Sequence, residues 1–245
     1  MPTLSPSAIA SAHQRWLSAV SSGPDGALTA TRAALSGCRA AMDQIEAELR
    51  LMNYPVQPLR TPCENVDAAC ARLEQAIGQP PPRILVELWR EVGAIHFVEP
   101  GNYEHVDFWR RHGLMDECGD GVCVEACTPD WVDYTIESFL DRARSEWPDE
   151  WSEAPPFMLE ISADRLHKDN ISGGPPYALL PGGEWLAPLQ GFSWRLQPAS
   201  APGDPPDLMG YLRTAILECA GFPGFHGCVA FGPVRERLLR HVRAF

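Results

Sequence analysis

Lysine is almost absent. Lys168 stands alone against nineteen arginines, a skew that base-composition bias accounts for and that excludes nothing by itself. The other absences say more. No apolar run approaches the roughly 18 residues a membrane span requires, which argues against a bilayer-spanning helix. The opening MPTLSPSAIASAHQRW has no basic start followed by an apolar core, so it does not read as a secretory signal, and the cytoplasm is the expected compartment. No phosphate-cradling Gly-rich loop, H-E-x-x-H, G-x-S-x-G or Walker-type stretch occurs, and no internal repeat is visible. No stretch announces a reaction, and the expected class is non-enzymatic, with no cofactor.

What is present is enough for one sizeable core: 245 residues, 45% of them hydrophobic. The eight cysteines (38, 63, 70, 118, 123, 127, 219, 228) read, in a reducing compartment, as small buried hydrophobes. Net charge is −12 and sharply localised. Between Asp116 and Glu153 twelve carboxylates face only Arg142 and Arg144, so 38 residues carry −10 and the other 207 carry −2. Such a field repels phosphate backbones, which argues against nucleic acid, and speeds encounter with a basic protein surface. A solvated acidic face that serves solubility is the alternative.

The stretch around which the chain is organised is QPPPRILVELWREVGAIHFV, residues 79–98. Proline can open a helix, where its missing N–H has no intrahelical partner. Ile84, Leu85, Leu88, Trp89 and Val92 then recur at helical spacing, Gly93 supplies a stop, and 94–98 suits a first strand. Upstream, Ser5 and Pro6 open a helix over 5–21, with Ile9, Ala12, Trp16 and Val20 as its stripe. Residues 27–53 form a longer helix with a heptad seam: Leu28, Leu35, Met42 and Leu49, complemented by Cys38, Ile45 and Met52 and interrupted by Thr31. At 1.5 Å per residue the second helix is roughly 40 Å long and the first roughly 25 Å, so the first covers only part of the seam. The remainder must lie on the main domain or on a second copy, which makes a homodimer through these helices one expectation.

Residues 53–63, with three prolines, read as an extended connector, and 64–77 as another amphipathic helix stopped by Gly78. Aromatics and histidine crowd 102–114. Strands are expected at 122–126, 157–162, 177–180 and 192–196, and helices at 130–147, with Ile136, Phe139, Leu140 and Ala143 inward, and at 207–220. A short basic helix over 232–245 complements the acidic segment. Helices first, strands in the middle and a helix last predict an α+β fold, mainly an antiparallel curved sheet with flanking helices, behind an N-terminal hairpin. The division expected is 1–60 for the hairpin and 61–245 for the α+β domain.

An amphipathic helix ending in Gly, a proline step and PRILVELWREVGAIHF resembles the opening of the SUKH superfamily in its SMI/KNR-like branch. FMLEISADRLHKDNISGGPPYALLP, and a later helix ending in AGFPGF, are similar to the second half of bacterial proteins placed near that superfamily. Together these stretches span about residues 64–225. The resemblance implies an α+β domain and an immunity protein that neutralises a polymorphic toxin by binding it. It carries over no catalytic residue.

Three groups of side chains are candidates. The first is an acidic, aromatic partner-binding surface: Asp116, Glu117, Asp120, Asp130, Asp133, Trp147, Asp149, Glu150 and Trp151. Tryptophans flanked by carboxylates suit an interface, or they cover the edge of the core. The second is a loop with His167, Lys168, Asp169, Asn170 and Ser172 before Gly173-Gly174, which could hold a ligand, although a tight turn needs the same residues. The third is Cys118, Cys123 and Cys127, with His105 and His112 upstream, as a zinc alternative; Cys123 and Cys127 reach the outer limit of paired-ligand spacing and Cys118 does not pair cleanly. The leading expectation is a protein-binding module whose partner is a basic toxin domain. A metal or hydrolytic enzyme and a dimerising adaptor are the alternatives.

Overall fold

The computed structural model describes residues 4–99, 104–114, 121–125, 127–146, 159–160, 178–180, 195–197, 207–225 and 227–245; residues 139–146 and the three short segments from 159 to 197 are described through their backbone alone. Helix α1 (Pro6–Val20) starts where Ser5 Oγ accepts the Ala8 N–H at 3.2 Å. Helix α2 (Pro24–Leu51) begins three residues earlier than its apolar pattern, because Pro24 takes the first helical position. Its seam is filled from within the chain. Leu35, Cys38, Met42, Ile45 and Leu49 have no exposure, and α2 packs against α1, against the later helices Arg83–Glu91 and Gly232–Leu238, and against the π-helical turn Thr214–Glu218. The middle of the seam is thus covered from within the chain, while Leu28 and Met52 at its two ends stay partly exposed. Thr31, which interrupts it, is fully buried and takes a 2.9 Å hydrogen bond from the Trp16 indole N–H of α1, so the polar residue is satisfied where it stands.

Helix α3 (Val66–Ile77) ends at Gly78, as its sequence predicts. Helix α4 (Arg83–Glu91) follows Pro82 and lies deep in the molecule. Every residue from Ile84 to Trp89 is buried, so this short helix is wrapped on more than its apolar face. Gly93 then hands the chain to a strand that is central in its sheet and not the first. β1 (Arg60–Thr61), β2 (Ala94–His96) and β3 (Cys123–Val124) are antiparallel in that spatial order, with Arg60 opposite Ile95 and His96 opposite Cys123. β1 lies inside the stretch expected to be an extended connector. Another difference is α5 (Glu104–Arg111), a helix where sequence marks only aromatic and histidine content.

Helix α6 spans Pro129–Glu146, and α7 (Leu208–Arg213) runs into a π-helical turn at Thr214–Glu218. Short 3₁₀ turns at Pro223–Phe225 and Val229–Phe231 lead to α8 (Gly232–Leu238). A second antiparallel sheet has the order β4 (Leu159–Glu160), β5 (Ala178–Leu180) and β6 (Arg195–Gln197). The fold is α+β. Its described core is one continuous cluster that includes residues of α1 and α2 together with those of α4, α5, α7 and α8. The basic C-terminal helix does not turn to the acidic segment among the described residues: Arg237 of α8 pairs with Glu48 of α2 at 3.0 Å.

Candidate functional site

Helix α6 carries the described part of the acidic segment. Its start is well defined: Thr128 Oγ1 accepts the Trp131 N–H at 3.1 Å, Pro129 opens the helix, and Asp130 complements the positive end of the helix dipole. Inward, Val132 is fully buried, and Trp131 meets the Trp89 ring of α4 edge-on with centroids 6.0 Å apart. Ile136 also packs on the core, as its spacing predicts, while the side chains of Phe139, Leu140 and Ala143 lie outside the described set. Outward, Asp130, Tyr134 and Glu137 share one face at helical spacing, and all three are exposed. Tyr134 is 59% exposed, one of three large hydrophobic side chains left open among the described residues.

The sequence-predicted partner surface divides. Asp130 belongs to this outer face. Asp133 is turned to α3, where it takes a 2.6 Å ion pair from Arg72 Nε, so it serves the α3–α6 contact. Asp116, Glu117, Asp120, Trp147, Asp149, Glu150 and Trp151 lie outside the described residues, as do the loop residues His167, Lys168, Asp169, Asn170 and Ser172. Tyr134 and Glu137 are the members that residue-by-residue reasoning missed. Reading the helical face outward from Asp130, four and seven positions on, finds both.

Among the described residues the cysteine cluster does not assemble as a zinc site. Cys118 lies outside the described residues. Cys123 and Cys127 find different neighbours: Cys123 Sγ is 3.9 Å from His96 Nδ1 across the β2–β3 pair, whereas Cys127 is fully buried in the core near Cys70 of α3. His105 is buried on α5, and the His112 ring lies tilted against Phe108 with centroids 4.5 Å apart. Among the described residues no three His, Cys, Asp or Glu side chains converge as a metal would require.

A cleft of about 340 Å³ lies beside the first sheet, lined by Gln57, Thr61, His96, Glu99, Glu125 and neighbouring prolines. Burial pushes His96 below the usual histidine range, and the carboxylates of Glu125 and Glu99 partly restore it. His96 and Cys123 have the composition of a nucleophile and its base. Cys123, however, is 3% exposed and packs with Val98, so its sulfur does not face the cleft as a nucleophile must.

The most concentrated buried charge is structural. Glu87 on α4 has no exposure and is met by Arg32 at 2.7 Å and by Arg83 and Arg90 at 3.2 Å. The arginines stay 35–47% exposed, so their charge is partly solvated while the carboxylate depends on them. The Arg32 pair joins α2 to α4. Glu87→Ala is expected to destabilise the fold by about 2–4 kcal/mol, with Glu87→Gln less damaging because the amide still accepts from the guanidinium groups. Urea titration measures it; a loss below about 0.5 kcal/mol would show the arginines finding water at no cost.

Comparison of the chain with protein-family models, with curated proteins and with solved structures finds no match in any of the three.

Proposed function

We propose that this chain is a protein-binding module that receives a basic polypeptide on the outer face of α6, in the manner of an immunity protein that occludes its toxin. The observation that carries the reading is the Tyr134 ring, 59% exposed on one helix face with the carboxylates of Asp130 and Glu137. An aromatic side chain gains most from being desolvated at the centre of an interface, and charges around it speed approach and reject partners of the wrong sign. The same face belongs to the segment that concentrates −10 of the net charge. A surface of that sign favours a lysine- or arginine-rich partner and repels phosphate backbones. The SUKH-like stretches point the same way, to neutralisation by steric cover without chemistry, in the cytoplasm. No described helix is long and apolar enough to cross a membrane.

The test uses the purified product of the reading frame directly upstream as the partner. Asp130→Asn with Glu137→Gln is expected to slow association about 3- to 10-fold at low salt and to flatten its salt dependence. Tyr134→Ala is expected to speed dissociation about tenfold, on the order of 1–2 kcal/mol. Asp133 is left intact, because removing it would break the Arg72 pair and blur the result. Binding that ignores both variants would overturn the role of α6. Absence of any complex with that product would overturn the immunity reading.

A further inference from the structure

His13 of α1 and Arg213 of α7 stand 200 residues apart in the sequence and meet inside the fold. Arg213 is 2% exposed, and both edges of its guanidinium are used. Nη1 lies 2.9 Å from His13 Nδ1, and Nε donates to the Phe245 carbonyl oxygen at 2.5 Å. Its Cζ sits 5.8 Å from the Trp16 ring of α1 and 5.7 Å from the Phe245 ring. Across the imidazole, His13 Nε2 is 3.5 Å from Asp207 Oδ2. The other oxygen of that carboxylate caps α7, taking the Gly210 N–H at 2.9 Å. One buried arginine thus ties α1 and the residues ending at Phe245 to α7.

The donor set fixes where the protons are. A guanidinium donates and cannot accept, so His13 Nδ1 must accept and carry no proton. The ring proton is then on Nε2, toward Asp207. This arrangement exists only for the neutral imidazole. Charging the ring puts a second proton on Nδ1, directly against an Arg213 N–H, and two donors cannot share that contact. Asp207 favours the charged ring, but burial and Arg213 oppose it, and burial, the largest influence, keeps His13 below the usual histidine range.

The other charged and titratable groups around the pair do not reverse this. Cys38 of α2, pushed up to about 12 by burial, stays a neutral thiol. Arg15 on α1 adds positive charge near Arg213. Arg213 is pulled down to about 10 by burial and keeps its charge at neutral and acid pH. Burial raises Asp207, so acid weakens the one counter-charge that an imidazolium would have. The sign follows. The unfolded chain takes up a proton at His13 that the fold resists, so this contribution to stability is complete above about pH 6.5 and is lost as the pH falls below it.

We propose that His13, Asp207 and Arg213 form an acid-released latch, in which protonation of His13 at Nδ1 breaks its contact with Arg213 and loosens α1 and the residues ending at Phe245 from α7. The His13 side chain is 17% exposed, which gives the charged ring a way out to water.

The experiment compares hydrogen–deuterium exchange of the full chain at about pH 7.5 and 5.5, corrected for intrinsic rates. Acid should speed exchange in α1 and in residues 239–245 at least about threefold. His13→Gln, which does not titrate and can still accept from Arg213 and donate to Asp207, should abolish most of that increase. His96→Gln is the control, because burial lowers His96 as well, and it should leave the increase intact. Equal loosening in the parent and in His13→Gln would overturn the proposal. A second measurement needs no variant: nitrogen-15 NMR of the imidazoles in the unaltered protein should find the proton of His13 on Nε2 at about pH 7.5 and its titration below the ordinary histidine value of about 6.5. A proton on Nδ1, or titration at or above that value, would overturn it.

Discussion

Replacing Gly93 by alanine is expected to destabilise the protein by about 3–5 kcal/mol, among the largest losses a single methyl group can produce. Two effects combine there. Gly93 has φ +92°, a backbone conformation that an L side chain adopts under strain. A Cβ at this position would also stand 2.1 Å from the Thr61 carbonyl oxygen and 2.9 Å from its carbon. That neighbour is backbone, part of β1, whose Thr61 pairs with Ala94 in the next strand. It cannot withdraw without opening the ladder. Gly78→Ala separates the two effects, since Gly78 has φ +75° and open space where the Cβ would go. It should lose only about 1 kcal/mol. Denaturant midpoints at constant slope measure both, and a Gly93→Ala loss no larger than that of Gly78→Ala would show that the close approach to Thr61 is unimportant.

Trp109→Ala carries a comparable expected loss, about 3–5 kcal/mol, through the cavity it would leave. Trp109 on α5 is 1% exposed and makes ring contacts to Phe108 and Phe222 at 4.8 Å, Phe225 at 5.3 Å, Tyr54 at 5.5 Å and Phe231 at 5.8 Å. Apart from Phe108, its neighbour on α5, these rings come from the segment after α2 and from the stretch between α7 and α8, and Trp109 is where they meet. Tyr54 is fixed independently, its hydroxyl donating to the Phe97 carbonyl oxygen at 2.5 Å, so the surrounding shell cannot simply collapse inward. Near-ultraviolet circular dichroism should lose much of its aromatic signal in step with stability. Trp109→Phe, which keeps a ring in place, should cost about 1–2 kcal/mol. A Trp109→Ala protein within about 1 kcal/mol of the parent would show that the cluster packs without its centre.

What sequence reveals about this fold follows the range of the interactions concerned. Helices α1, α3 and α4 and their stops depend on neighbours three or four residues away, so Ser5, Gly78 and the 84–92 pattern disclose them. The heptad seam of α2 is equally readable, but not what covers it, because α4 and α8 arrive from later in the chain. β1 is two residues long and exists only because β2 pairs with it, so a proline-rich stretch conceals it. Helix α5 is short and strongly charged at both ends, with an inner face of His105, Phe108 and Trp109 that composition alone does not order.

The chemistry was harder to read than the fold, for the same reason. Cysteine spacing in sequence pairs Cys123 with Cys127, yet the neighbours the fold gives them, His96 and Cys70, are 27 and 57 residues away. The acidic run is visible at a glance. That Asp133 is spent on Arg72 while Tyr134 faces solvent depends on which side of α6 rests on α3, and only the packed structure decides that.

The proposed function places the basic partner on the outer face of α6. Hydrogen–deuterium exchange of the chain, free and bound to the upstream gene product, tests that claim directly. It should show slowed exchange over residues 129–138, with α1 and the C-terminal half of α2 unchanged. Protection confined to other segments, with α6 exchanging as in the free protein, would contradict it.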